Sequence, residues 1–433
     1  MASNLDFSLA LSLLFAAAVV LQWLLRVWLV SRQVRHVASH RAAVPATFAH
    51  RISLAAHQKA ADYTLAKAKV SLIDITLSAA VLLCWTLLGG LDALNTWLLG
   101  LLGPGMWQQL ALLAGFALVS GLIELPLSLY QTFRLEQRFG FNQMTLALWL
   151  GDLLKSTLVG AVIGLPIAAL ILWLMGAAGP MWWLWAWSAW TAFNLLLMWI
   201  FPSFIAPLFN KFEPLADEAL KTRVTTLMQR CGFAAKGLFV MDGSRRSAHA
   251  NAYFTGFGNS KRVVFFDTLL KQLNADEVEA VLAHELGHFK HKHITKRMLL
   301  MFGVSLLGFA LLGWLSQQLW FYSGLGVAPL IDQSFGPAAG NNAMALLLFM
   351  LAVPVFSFFV TPLLSAMSRR DEFEADAYAM QQADGAQLAS ALLKLYEDNA
   401  STLTPDPWYV SFYYSHPPAV DRLARMPAPA GSL

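Results

Sequence analysis

Residues 276–288 read DEVEAVLAHELGH, a stretch that combines strong helix formers with the apolar spacing of an amphipathic α-helix. Asn274 precedes the stretch and is predicted to cap the helix. His284 and His288 stand at i and i+4, so their imidazoles project from one helix face, and Glu285 lies beside them. The stretch therefore predicts a helix on which two histidines face a common point.

Two imidazoles at this spacing can bind one metal ion, and the adjacent carboxylate can take a proton from a water on that ion. We predict that His284 and His288 hold Zn²⁺ and that Glu285 is the catalytic base. Such a motif arises by chance in roughly one chain in a hundred of this length, so the rest of the sequence must show whether it is a metal site.

A catalytic zinc needs a third protein ligand and an open position for water. The acidic run 371–376 supplies candidates. Only Glu372 has a second carboxylate, Asp376, at i+4 on its own helical face, whereas Glu374 points to another face. Glu372 is therefore the predicted ligand, with Asp376 as hydrogen-bond partner of a ligand histidine. Asp371 is the rival ligand.

Two alternatives need no metal. Basic residues follow the predicted helix and would suit a membrane interface, namely His291, Lys292, His293, Lys296 and Arg297. The acidic run is alternatively a solvated helix start paired with Arg369 and Arg370. Even beside a metal site, His291 and His293 are predicted to be interfacial, because the His284 and His288 pair already fixes the ion.

The composition is that of a membrane protein. Of 433 residues, 57% are hydrophobic and only 13% are charged, which excludes an ordinary soluble domain. The net charge of +4 gives no case for a nucleic-acid partner. Cys84 and Cys231 are too few and too differently placed for a disulfide framework or a thiolate zinc site.

Apolar runs of roughly 20 residues, the length of a membrane-spanning helix, predict seven spans. They lie at 7–30, 71–92, 108–130, 154–175, 181–201, 298–322 and 342–366. The first lacks the pattern of a cleaved secretory signal and is predicted to be a retained helix. The turn at 176–182 leaves open a re-entrant hairpin instead of two spans.

Lysine and arginine alternate with these spans. The segments without either residue are 1–6, 93–107, 176–180 and 323–341, whereas 31–70, 131–155, 202–297 and 367–433 carry several each. Because positive residues stay cytoplasmic in short loops, the N-terminus is predicted to lie outside and the histidine motif on the cytosolic side.

The spans divide the chain into four segments: membrane helices at 1–201, a cytosolic metalloprotease segment at 202–297, two further membrane helices at 298–366 and a cytosolic segment at 367–433. No regular structure is predicted from 202 to 214, where prolines recur. Beyond it we predict a helix at 217–229, a strand at 237–241, a polar turn at 243–246, and β-prone runs at 252–256 and 262–266 joined at 258–260.

Several sequence blocks together resemble the CAAX prenyl protease 1 family of integral-membrane zinc metalloproteases. Besides the histidine helix they are EQRFGFN (136–142), DGSRRSAHANAYF (242–254), KRVVFFDTLL (261–270), SRRDEFEADAYA (368–379) and YSHPP (414–418). The resemblance implies a seven-helix bundle around a water-filled chamber, with a zincin-like cytosolic domain carrying a short β-hairpin. It also implies the zinc ligands His284, His288 and Glu372 and the base Glu285.

The resemblance implies further site residues. Asn251 and Ala252 correspond to a strand edge that pairs with the substrate backbone. His416 corresponds to a donor to the oxyanion, and Arg422, near it, corresponds to a further substrate-binding residue. By the residues alone, His416 in its proline-flanked loop reads equally well as a surface histidine.

The expected activity is zinc-dependent peptide hydrolysis near a C-terminus, including prenylated substrates. The sequence ends APAGSL, without the dibasic tail of eukaryotic members, so a bacterial inner membrane and broader peptide turnover are expected. The alternatives are a heat-shock-type membrane protease with fewer helices, a transporter or lipid-binding chamber with structural zinc, and an intramembrane-cleaving protease. The last is disfavoured because the histidines precede the sixth span.

Overall fold

The computed structural model describes residues 2–233, 237–255, 262–330 and 340–427, with side chains from Asp6 onward. The α-helices before the first strand are α1 (Ala2–His40), α2 (Leu54–Trp85), α3 (Gly90–Leu102), α4 (Met106–Tyr130), α5 (Gln137–Phe139), α6 (Leu146–Ala177) and α7 (Trp182–Ile200). Those after it are α8 (Glu218–Arg230), α9 (Asp267–Gln272), α10 (Ala275–Lys290), α11 (His293–Leu315), α12 (Leu319–Gly324), α13 (Asn342–Ser357), α14 (Thr361–Gln382), α15 (Gly385–Asp398), α16 (Pro407–Tyr413) and α17 (Ala419–Leu423).

Seven helical segments of the described chain are long and apolar enough to cross a membrane, which confirms the predicted number. They are Asp6–His40, Leu54–Trp85, Met106–Phe139, Leu146–Ala177, Gly179–Leu208, His293–Leu315 and Asn342–Gln382. The re-entrant alternative for the fourth and fifth runs is wrong. A short 3-10 turn, Gly179–Met181, joins α6 of 32 residues to α7 of 19 residues, and each is long enough to span.

The last two spans differ from the predicted runs at their ends. The sixth stops at Leu315, and a separate α12 follows, because the buried Tyr322 turns back and its hydroxyl donates to the Ser316 carbonyl at 2.8 Å. The seventh does not stop at 366. It continues through α13, a 3-10 turn and α14 for 41 residues, so the acidic run at 371–376 is rigidly attached to the membrane bundle.

Within the described part of the polar segment, four strands form a sheet in the order β1 (Phe212–Pro214), β2 (Gly237–Met241), β4 (Arg262–Phe266) and β3 (Ala252–Thr255). β2 pairs parallel with β4, and the other two pairs are antiparallel. β3 therefore lies at an edge. The β3–β4 pair confirms the predicted hairpin strands, whereas the predicted turn at 258–260 lies outside the described residues.

The prediction of no regular structure between 202 and 214 was wrong. A π-helical turn occupies Phe201–Ile205, a 3-10 turn follows at Ala206–Leu208, and β1 pairs Phe212 with Met241. Proline is compatible with β1 because an edge strand does not need every backbone N–H for pairing. The predicted helix at 217–229 is present as α8, with the Asp217 side chain accepting from the Leu220 N–H.

Candidate metal centre

Local sequence fixes where the histidine helix begins. The Asn274 side chain accepts from the Glu277 N–H at 2.9 Å, and the Glu277 carboxylate accepts from the Asn274 N–H, which is a complete capping box and confirms the predicted cap. Glu277 is buried, and it also accepts from Lys394 at 2.7 Å and from Ser390 at 2.8 Å. The N-terminus of α10 is thus tied to α15 as well as capped.

A glycine lets α10 approach α14 closely. A Cβ at Gly287 would lie 2.8 Å from the Ala375 Cα and 3.0 Å from its carbonyl oxygen, closer than real Cβ contacts. The neighbouring Leu286 and Ala283 are buried in the core that the two polar segments share. This backbone contact brings the histidine face of α10 against the acidic face of α14.

The three predicted ligands meet at one point. The Nε2 of His284 lies 3.4 Å from Glu372 Oε2, and the Nε2 of His288 lies 3.3 Å from Glu372 Oε1. Among the described residues, Glu372 Oε2 is a buried oxygen without a hydrogen-bond partner. Ligand atoms about 2.0–2.1 Å from a tetrahedral zinc lie about 3.3 Å apart, so the residues fit this ion.

Asp376 and Arg422 support His284 on the Nδ1 side of its ring, opposite the side that faces Glu372. The His284 Nδ1–H donates to Asp376 Oδ1 at 2.8 Å, which leaves Nε2 free for a metal. Arg422 donates to both Asp376 oxygens, at 2.8 and 2.6 Å. Burial lowers the pKa of His284, but its hydrogen bonds to Asp376 and Glu372 outweigh burial and raise that pKa to about 9.

Arg422, predicted as a substrate contact, binds the carboxylate that supports His284. Its side chain is only 8% exposed, and its guanidinium is bound to Asp376, with Nη1 4.0 Å from Glu372 Oε2. Burial lowers the pKa of Arg422, but the Asp376 hydrogen bonds dominate and raise it, so its charge is permanent. Arg422 thus contacts the support of the metal centre, although it also lines the adjoining cavity.

Glu285 stands beside the two histidines on α10. Burial raises the pKa of its carboxyl, and the nearby Glu372 raises it further, while His284, His288 and Arg422 oppose the shift. A carboxylate with a raised pKa is a stronger base at neutral pH. This electrostatic environment suits a group that would accept a proton at the metal centre.

His416 faces the same point from the C-terminal segment. Its Nε2 lies 3.4 Å from Glu372 Oε1, and its Nδ1 lies 2.9 Å from the Ser415 hydroxyl. The side chain is 62% exposed, but toward the cavity beside the metal centre. Desolvation inside the protein lowers its pKa, although Glu372 opposes this shift. When the Ser415 hydroxyl donates to Nδ1, the Nε2–H of the neutral ring points at the site.

Asn251 and Ala252 lie at an edge of the sheet as far as the described residues show, where the resemblance puts substrate pairing. Ala252 begins the edge strand β3, and Asn251 lines the same cavity as His416. The Ala252 N–H donates to the side-chain oxygen of Asn251 at 2.8 Å. A peptide that paired here would therefore replace the Asn251 side chain as the hydrogen-bond acceptor of the Ala252 N–H.

The prediction that His293 is interfacial was wrong. The ring is 4% exposed, its Nδ1 lies 3.0 Å from the Nδ1 of His288, and its Nε2 lies 3.2 Å from Glu374 Oε2. His288 therefore has its own carboxylate-backed support, as His284 has. The sequence did not indicate this role for two reasons. The residues around His293 are basic, and two side chains five residues apart on a continuous helix do not share a face. Asp371, the rival ligand, faces His293 at 3.7 Å and is not part of the triad.

A cavity of about 830 Å³ opens beside the metal centre. Its walls come from helices α1, α2, α15 and α16, from the π-helical turn Gln131–Glu136 and from the loop before β3. Polar side chains line much of it, including Gln33, Lys67, Asp74, Gln131 and Glu136. Such a lining suits water and peptide backbone, in agreement with the chamber that the resemblance implies.

Comparison with known proteins decides the family. Residues 214–430 match the family described as Peptidase family M48, and residues 33–211 match CAAX prenyl protease N-terminal, five membrane helices. The chain belongs to peptidase family M48. Its two matched regions cover both the membrane helices and the segment that carries the metal centre.

M48 relatives cover most of the chain. The CAAX prenyl protease 1 homolog of Arabidopsis thaliana is 39% identical over 73% of this chain and 72% of its own length. CAAX prenyl protease 1 of Saccharomyces cerevisiae is also 39% identical, over 74% and 72%. The crystal structure of S. mikatae Ste24p is 33% identical, with a TM-score of 0.88 over 96% of this chain and 98% of that one.

The M48 family membership makes this protein a metalloendopeptidase of the membrane that acts on peptides or proteins. The seven spans and the five-helix N-terminal match give no support to the heat-shock-type protease with fewer helices. They give none to a transporter with a structural metal either. The predicted fold, enzyme class and family are confirmed.

Proposed function

We propose that this M48 peptidase is zinc-dependent and that His284, His288 and Glu372 hold the zinc. Two distances carry the proposal: the Nε2 atoms of His284 and His288 lie 3.4 and 3.3 Å from the two carboxylate oxygens of Glu372. Among the described residues, the oxygen next to His284, Oε2, is buried and has no hydrogen-bond partner. In peptidases, two imidazoles and one carboxylate with an open fourth position most commonly bind zinc.

A zinc ion bound there would polarise a water molecule and the scissile carbonyl. Glu285 accepts the proton of the attacking water and returns it to the leaving amine. His416 donates its Nε2–H to the oxygen on which negative charge develops. Asp376, held by Arg422, keeps the His284 Nδ1–H in place so that Nε2 faces the metal.

The substrate is proposed to be the C-terminal part of a peptide, including prenylated CAAX-type peptides, since the curated relatives are named CAAX prenyl proteases. The edge of β3 at Asn251 and Ala252 would pair with the peptide backbone. Such pairing depends little on which side chains the substrate carries. The cavity of about 830 Å³ would receive the rest of the substrate. Broader turnover of unprenylated peptides fits the same backbone contacts.

The metal centre is proposed to face the cytosol, with the N-terminus outside. Support comes from the positive residues, which occur in the segments 31–70, 131–155, 202–297 and 367–433 and are missing from the alternate ones. We further propose that this membrane is a bacterial inner membrane.

The decisive experiment compares wild type with Glu285→Gln on matched peptides with and without a prenyl group. Glu285→Gln should retain about one zinc per chain and lose at least ~10³-fold in kcat/KM, since the proton acceptor is removed. His284→Ala should lose both metal and activity. Full peptidase activity of purified Glu285→Gln would refute the assignment. Equal kcat/KM on the two peptides would remove prenylation from the proposal and leave hydrolysis intact.

A further inference from the structure

A second group of metal-ligating side chains lies next to the proposed catalytic site. Among the described residues, ligand atoms of His291, His293 and Glu374 lie within 4.8 Å of one another. Asp371 adds a carboxylate oxygen 3.7 Å from His293 Nε2. Two imidazoles with two carboxylates form a mixed nitrogen and oxygen donor set, which zinc and other first-row divalent cations accept.

The backbone between two helices brings these imidazoles together. α10 ends at Lys290 and α11 begins at His293, and the chain turns between them at Lys292, whose φ of 57° is left-handed. As a result the His291 and His293 rings are stacked, with centroids 5.5 Å apart and planes at 15°. The junction thus presents two imidazoles side by side.

Glu374 is oriented toward the pair. Arg370 donates to its Oε1 at 3.1 Å, and its Oε2 lies 3.2 Å from His293 Nε2. The Glu374 side chain is 34% exposed, and His291 is half-buried, so an ion from solution can reach the group. The donors are therefore held together but remain accessible.

His293 links this group to the catalytic site through a single proton. Its Nδ1 lies 3.0 Å from His288 Nδ1. A neutral imidazole that binds a metal through Nε2 carries its proton on Nδ1. The bond between the two rings accommodates one such proton, because two N–H groups cannot face each other at this distance. Metal on His293 Nε2 therefore opposes metal on His288 Nε2.

We propose that His291, His293 and Glu374, with Asp371, form a second and weaker divalent-cation site whose occupation inhibits the enzyme. The inference rests on the proposed function, because it takes His288 as a catalytic metal ligand. Its consequence is that zinc activates the peptidase at low concentration and inhibits it at higher concentration.

The test uses the purified full-length chain, stripped of metal and titrated with Zn²⁺ in equilibrium dialysis, with peptidase activity measured in parallel. Wild type should bind two ions, the second at least tenfold more weakly, and activity should fall as the second binds. His291→Gln should weaken the second phase at least tenfold, shift inhibition to correspondingly higher zinc, and leave activity at one ion per chain unchanged. His50→Gln, at an exposed histidine elsewhere, is the matched control and should behave as wild type.

Two further variants separate this inference from the proposed function. Glu374→Gln should also weaken the second phase, while His284→Ala should lose the tight phase and bind one ion at the second site no more weakly than wild type does. One ion per wild-type chain, or an unchanged second phase in His291→Gln, would overturn the second site and leave the proposed function intact. Two ions bound to His284→Ala as tightly as to wild type would instead overturn the catalytic assignment.

Discussion

At the scale of single residues, the candidate centre depends on where protons lie. His284 and His288 each use Nδ1 for a hydrogen bond, the first to Asp376 and the second to His293. Each bond orients a ring so that Nε2 faces Glu372. Asp376 in turn is fixed by two Arg422 hydrogen bonds. The supports therefore determine the geometry of the ligands.

Replacing Asp376 by asparagine should weaken zinc binding by about 10–100-fold, because the His284 ring loses its charged acceptor and Arg422 loses its partner. Competition with a chromophoric chelator measures this affinity. Asp384→Asn is the control, since Asp384 caps α15 away from the metal centre. Wild-type zinc affinity in Asp376→Asn would contradict the assigned role.

Zinc affinity should also depend on pH. Before metal binds, the pKa of His284 is about 9, so the ring is protonated below that pH and must release a proton to bind zinc. The apparent dissociation constant for zinc should fall about tenfold per pH unit from pH 6 to pH 8. A zinc affinity that is independent of pH over this interval would contradict the prediction.

The same raised pKa of His284 stabilises the metal-free fold. This contribution is full below about pH 6.5, the pKa of histidine in the unfolded chain, and is lost as pH rises through about 9.

At the scale of secondary-structure elements, the contact between α10 and α14 assembles the site. Gly287 is the point of closest approach, where α10 meets the backbone of Ala375. The seventh span continues directly into α14, so Glu372 is fixed relative to the membrane helices. A change in this contact should move Glu372 relative to both histidines.

Gly287→Ala should destabilise the protein by about 1–3 kcal/mol and reduce zinc affinity, because the new methyl group would lie 2.8 Å from the Ala375 Cα. Thermal unfolding in detergent and chelator competition measure the two effects. Gly303→Ala is the matched control in a helix, since a Cβ there meets nothing within 4 Å. The contact would have no such importance if the two variants unfolded at the same temperature.

At the scale of the whole molecule, the membrane spans and the peptidase segment form one unit around a cavity. The cavity is lined by residues from the first two spans and by residues from the C-terminal segment, including His416 and Arg422. A peptide at the metal centre would therefore contact both. The Lys and Arg distribution places this side of the bundle in the cytosol in our proposal.

Single-cysteine labelling tests this orientation in a Cys84→Ser, Cys231→Ser background. Gln317→Cys, exposed between α11 and α12, should react with a membrane-impermeant maleimide on intact cells. Lys221→Cys, exposed on α8, should react only after the cells are permeabilised. Labelling in the opposite order would reverse the proposed topology.

Much of this protein follows from the sequence alone. Seven apolar runs predict seven spans. Each run is long enough to cross the hydrocarbon as a helix, and a helix satisfies its own backbone hydrogen bonds there. Helical periodicity places His284, Glu285 and His288 on one face, and the i+4 spacing selects Glu372 and Asp376 together. These are local properties, which a sequence records directly.

Only the tertiary structure revealed the supports of the site. Arg422 lies 46 residues from the Asp376 carboxylate that it holds, and Glu374 reaches His293 across 81 residues. The left-handed Lys292 turns His293 back toward His288, which no helical periodicity predicts. Such contacts depend on how α10, α14 and the C-terminal segment pack, because packing determines which distant side chains share one buried space.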